Sequence, residues 1–148
     1  MSLTRLLAEG RVRKHRSSHT EIRDRLRIVD RNIRDAAVDA ISVDLRYHAA
    51  YEAALQLATI ALSASGYRTT SQGHHRTTFE ALPFCLGAEH EDLANYFDQS
   101  RGKRNVLEYD RAGEIAETEA EELLNEVKKF RATVVAWLKR RHPALVGR

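Results

Sequence analysis

The sequence predicts an all-α fold, and three observations carry that prediction. Only two prolines and seven glycines interrupt 148 residues, so long unbroken segments remain. Apolar residues recur at steps of three and four along several of these segments. Serines and glycines suited to starting and stopping helices fall at the segment ends. The length fits one domain, and 43% hydrophobic with 30% charged residues argues for a packed core rather than a disordered chain.

Leu3 to Glu9 reads as a short helix stopped by Gly10. A basic run follows, with Arg11, Arg13, Lys14, His15 and Arg16. It reads either as a solvated arm or as a phosphate-contacting arm; no aromatic residues are interleaved for base stacking. Ser18-His19-Thr20-Glu21 has the spacing of a capping box. The helix it opens, residues 19 to 40, carries Ile22, Leu26, Val29, Ile33 and Ala37 on one face and arginines on the others. Ser42 caps a second long helix, with Asp44 in its first turn. From Leu45 to Leu62 that helix is nearly all alanine, leucine and isoleucine, so it should have close neighbours on several sides. Gly66 ends it.

Arg68 to Gly73 reads as a polar loop. His74 and His75 precede a short helix through Thr78, Phe79 and Leu82, which Pro83 should stop or kink. Phe84, Cys85 and Leu86 read as core at the turn. A fourth main helix runs from about Glu89 to Asp110. After Gly113 the last helix begins acidic and ends basic, a gradient that opposes its dipole. Ala120, Leu123, Val127, Phe130, Val134 and Trp137 form its buried stripe, and Pro143 ends it.

The net charge of +3 and the pI near 9.2 permit nucleic-acid binding without arguing strongly for it. A single cysteine, Cys85, excludes an internal disulfide and suits a reducing compartment. No apolar signal core or membrane-length run appears, so a soluble cytoplasmic protein with no membrane association is expected. The chain has no HExxH, ExxH, GxxxxGKS/T or GxGxxG motif, and Cys85 has no CxxC partner. Neither a common metal enzyme nor a nucleoside triphosphatase is indicated, and no cofactor is expected.

What stands out is Ser100 to Asp110. The row Leu93, Phe97, Ser100, Arg104, Leu107 advances by +4, +3, +4, +3, one face of a helix. Arg104 therefore falls on the stripe that points inward, where a guanidinium needs an acceptor or a wet cleft. Asn105 lies about 100° around from it and Tyr109 about 140°, so the three form a broad polar arc. An alternative is that Arg104 pairs with Glu52 or Asp44 on a neighbouring helix and pins the bundle.

Two segments, Tyr47-His48-Ala49-Ala50-Tyr51-Glu52-Ala53-Ala54 with the later Gly73-His74-His75, and Arg101-x-x-Arg104-Asn105-x-x-x-Tyr109, give the chain a resemblance to the HEPN family. The resemblance spans residues 19–142, leaving 1–18 as a short helix with a basic arm and 143–148 as a tail. It implies an antiparallel up-and-down bundle of four to five helices, and a homodimer whose two arginine motifs meet at a cleft. It further implies binding of RNA or a nucleotide there. Many members are metal-independent endoribonucleases of toxin–antitoxin or phage-defence systems. The alternative is a non-catalytic module that binds a partner nucleotidyltransferase or antitoxin protein.

Carried onto this chain, the resemblance makes Arg104 the residue that holds the scissile phosphate, with Asn105 positioning it. Arg101, Lys103, His75 and His48 would contact RNA or nucleotide. Tyr109 stands at the first position where the family has a histidine, and a tyrosine with a pKa of about 10 is a poor general base. Either catalysis is lost, or Tyr109 only donates a hydrogen bond, or another histidine supplies the base. His74, His75 and His48 are the candidates, in that order.

Overall fold

The computed structural model describes residues 2–70, 74–109 and 115–147, without the side chains of 105–109. It is all-α apart from one small sheet. The elements are α1 (Leu3–Ala8), β1 (Val12–Lys14), α2 (His19–Ala36), α3 (Val43–Ala64), β2 (Tyr67–Thr69), α4 (His74–Leu86), a 3₁₀ turn (Ala88–His90), α5 (Glu91–Tyr109), α6 (Glu117–Arg141) and α7 (Pro143–Val146).

Helix α3 is the hub. It packs against α2, α4, α5 and α6, and Ala50, Ala53, Ala54, Leu57, Ile60 and Ala61 on it are fully buried. The alanines let the neighbours approach closely on more than one face. Each large apolar side chain buried among them contributes about 1.5–3 kcal/mol. The stripe expected on α6 is the observed one: Ala120, Leu123, Val127, Phe130, Val134 and Trp137 are all buried. Helix α2 brings Ile22, Val29 and Ala36 to the same core.

The helix starts follow the sequence closely. Ser42 Oγ accepts from the Leu45 amide, and Ser18 Oγ from the Glu21 amide. The box at Ser18 is only half made, however. Glu21 turns away from the cap to accept from Ser63 Oγ at 2.6 Å and to meet His15 Nε2 at 2.7 Å. At the other end, α2 stops at Ala36, four residues short of expectation. The reason is Arg46, 5% exposed, whose Nε donates to the Ala36 carbonyl at 3.1 Å and closes the helix there.

Three further expectations change. The basic run is not a free arm. Val12, 2% exposed, anchors it as β1, and it pairs antiparallel with β2, which occupies the start of the expected polar loop. The register sets Val12 opposite Thr69, Arg13 opposite Arg68 and Lys14 opposite Tyr67. Gly66, at φ +97°, makes the turn from α3 into β2, and its carbonyl accepts from the His15 amide at 2.9 Å. Pro83 does not stop α4, which continues to Leu86. Phe84 consequently faces outward, 37% exposed, while Cys85 and Leu86 pack against the core. Pro143 does end α6, and it also opens α7 as its first residue, where its missing N–H costs nothing.

Beneath the sheet lies a small second apolar cluster of Leu6, Val12, Leu62 and Ala81. It ties α1 and β1 to α3 and α4. Among the described residues no helix is long and apolar enough to cross a membrane.

Candidate functional site

Arg104 lies on α5 facing α3. It is half-buried, and its guanidinium carbon stands 5.0 Å from the centroid of the Tyr51 ring. A cation over a buried aromatic face is held by the ring quadrupole as well as by packing. Tyr51 is fully buried on α3. Its hydroxyl meets His75 Nδ1, at the start of α4, at 2.9 Å. The His74 ring sits edge-on to that of His75, with centroids 4.3 Å apart. Three helices thus converge on one phenol: its face carries Arg104 and its oxygen carries His75.

The sequence reading did not include Tyr51 among the site residues. The signal was there, since Tyr51 is one of two tyrosines on a helix rich in alanine and leucine, but its partners are set by tertiary packing. Burial pushes the Tyr51 phenol well above its ordinary value, against the opposing pull of Arg104. It therefore stays protonated at neutral pH, an available donor and acceptor but not a base. Phe79 buttresses the ring edge-on at 6.0 Å, and Phe79, Phe97 and Phe130 continue the aromatic packing into the core.

The other expected residues distribute as follows. His75 touches Tyr51, whereas His74 is exposed and reaches the cluster only through His75. His48 lies one turn before Tyr51 on α3, with Nε2 4.0 Å from Glu52. Arg101 Nε donates to Asp98 at 2.9 Å. Lys103 is bonded to Glu119, an attachment that links α5 to α6 and raises its ammonium above the usual value. Asn105 and Tyr109 lie on α5, and their side chains fall outside the described residues. Arg101 and Asp98 also lie within electrostatic reach of Tyr51, so the phenol sits among charges of both signs.

A second polar cluster stands at Glu21. Its carboxylate receives Ser63, His15 and, at 3.4 Å, Arg25 Nε, while Arg25 Nη1 donates to Gln56 at 3.0 Å. Burial would raise the Glu21 carboxyl, but the bonds from Ser63, His15 and Arg25 outweigh it and hold it below its ordinary 4.5. Among the described residues no group of three or more His, Cys, Asp or Glu side chains is placed to hold a metal ion.

Chemically, the Arg104 cluster sets a guanidinium on the face of a phenol and an imidazole Nδ1 on its oxygen. A model of the family described as HEPN_SAV_6107-like HEPN matches residues 37–135, more than half of the chain and inclusive of every residue of this cluster. No curated protein and no solved structure matches the chain.

Proposed function

Since this chain belongs to the HEPN family, we propose that it binds RNA at a cleft lined by Arg104 between two copies of itself, and cleaves a phosphodiester there without a metal ion. The observation that carries the reading is the convergence of Arg104 and His75 on Tyr51.

In this reading Arg104 holds the non-bridging oxygens of the scissile phosphate and the charge that builds on them. In the tautomer whose Nδ1–H is donated to the Tyr51 oxygen, His75 Nε2 is the basic nitrogen that takes the proton of the ribose 2′-hydroxyl. The 2′-oxygen bonds to phosphorus, the bond to the 5′-oxygen breaks, and protonated His74 returns a proton to the leaving oxygen. The products are a 2′,3′-cyclic phosphate and a 5′-hydroxyl. Tyr51 is a positioning residue: its oxygen holds the His75 ring and its face the place of Arg104. A histidine supplied this way from α4 takes over the task that a histidine in the place of Tyr109 would have.

The test is an RNA cleavage assay in a chelator, with wild type beside Arg104→Ala and His75→Asn. Each substitution should lower cleavage at least ~100-fold, the usual scale for losing charge stabilisation or a general base. Products lacking a cyclic phosphate would exclude the mechanism, and a monomer mass by light scattering would remove the shared cleft. Growth arrest on expression that vanishes with Arg104→Ala would support a toxin or defence role. A second reading, docking of a partner nucleotidyltransferase or antitoxin without catalysis, draws on the exposed apolar residues Leu45, at 58%, and Val38, at 42%, where α2 meets α3. Wild type that neither cleaves nor binds RNA would favour it.

A further inference from the structure

The register of the small sheet sets Arg13 directly opposite Arg68. Each is the middle residue of a three-residue strand, and both are exposed. Opposed residues in an antiparallel pair share one face with their Cβ atoms about 5 Å apart, and like charges there oppose pairing. A two-stranded sheet this short has little to set against that repulsion. Among the described residues neither arginine takes a side-chain hydrogen bond or ion pair. The carboxylates of the neighbouring segments are committed elsewhere: Glu80 to Arg11 and Arg76, and Glu21 to His15, Ser63 and Arg25. Lys14 differs, because its ammonium lies over the Tyr67 ring at 4.9 Å.

The same edge borders a cavity of about 330 Å³ whose walls include Arg68, Thr69, His15, Arg25 and Thr59. That volume is at the lower end of small-molecule sites. Thr78, in the next turn of α4 after His74, also lines it.

We propose that Arg13 and Arg68 together hold a phosphate group, with the cavity beside Arg68 receiving the sugar or base attached to it. Two guanidiniums on one face form a fork of donors suited to phosphate oxygens, and the anion cancels the repulsion that the bare sheet carries. The phosphate belongs either to a single RNA strand or to a free nucleotide. Assignment to an RNA strand rests on the reading of the Arg104 cleft; the phosphate site itself does not.

Thermal melting tests the site alone. Wild type and Arg68→Gln are compared in sodium phosphate and in sodium chloride at matched ionic strength. In chloride the variant should melt at or above wild type, since the substitution removes the repulsion. Phosphate should raise the wild-type midpoint by more than that of the variant, beyond the general salt effect common to both. Equal gains in the two proteins would overturn the proposal.

Anisotropy of a labelled twelve-nucleotide RNA, with adenosine monophosphate as competitor, distinguishes the two sources. For a bound strand, Arg13→Gln with Arg68→Gln should flatten the slope of log affinity against log salt by about 0.7, the share of the one phosphate they hold. Displacement of the strand by the mononucleotide from wild type, but not from the double variant, would assign the site to free nucleotides. If neither the slope nor the displacement depends on the two arginines, the proposal falls. Phosphate stabilisation that persists while Arg104→Ala leaves RNA binding and cleavage intact would sink the cleft and spare this site. The opposite pair of results would sink the site and spare the cleft.

Discussion

The Tyr51 hydroxyl and His75 Nδ1 stand 2.9 Å apart, although 24 residues separate them in the chain. The bond joins the centre of α3 to the first turn of α4, and the face of the same ring carries Arg104 from α5. One buried phenol therefore fixes the spacing between a permanent cation and an imidazole.

Tyr51→Phe removes only the oxygen. Stability should fall by about 1 kcal/mol, the net value of one hydrogen bond, as read by urea denaturation. Cleavage should fall at least ~10-fold, because the His75 ring loses the bond that holds it. Ring ¹⁵N shifts of His75 should then differ from those of wild type, as the bond to Nδ1 is gone. Unchanged shifts with lost activity would mean that the hydroxyl acts on substrate instead.

Arg46 is a second inward arginine, and its work is structural. It donates to the Ala36 carbonyl and reaches Glu117 at 3.4 Å. Arg46→Ala should cost about 2 kcal/mol, for a buried carbonyl left without its donor and for lost packing of the side-chain stem. Glu117→Ala should change stability by no more than about 0.5 kcal/mol, because that carboxylate is 64% exposed. Chemical denaturation of both variants separates the two contributions.

Glu21 links stability to pH. Its folded value is depressed, so it stabilises the fold at pH above its unfolded value, ordinarily near 4.5. That contribution should fade as the pH drops through 4.5 toward the lower folded value. Glu21→Gln should lose about 1–2 kcal/mol at pH 7. The gap to wild type should close below pH 4, measured as denaturation midpoints between pH 3 and 7.

Cys85 should be a slow thiol. Burial pushes it up to about 11, with only partial relief from Ser65. At pH 8 its thiolate population should be ~100-fold below that of a thiol titrating at 9. Alkylation by iodoacetamide, followed by mass spectrometry, should be slower by that factor in the native protein and normal in denaturant.

Local chemistry made much of the bundle legible. Ser18 and Ser42 announced helix starts, alanine density marked α3 as central, and the α6 stripe followed from its spacing. The step pattern through Phe97 and Ser100 also placed Arg104 on an inward face. What escaped depended on distant partners. Three-residue strands give no periodic signal, so the pairing of β1 with β2 could not be read. Nothing local in Glu21 says that it will abandon its cap for Ser63, 42 residues away. The Tyr51–His75 bond is of the same kind, and it is why His75 rather than His74 touches the phenol.

Helix α2 lies wholly outside the span by which the family is recognised, residues 37–135, yet its Ile22 and Val29 are fully buried in the shared core. Arg131 on α6 also grips Asp30 on α2 through two nitrogens, at 2.6 and 3.2 Å. A fragment trimmed to the recognised span would open a greasy trough along α3 and α6 and should precipitate. Anyone shortening this protein for expression should keep α2, and should add tags beyond the last helix, because α1 and β1 cover apolar surface of their own.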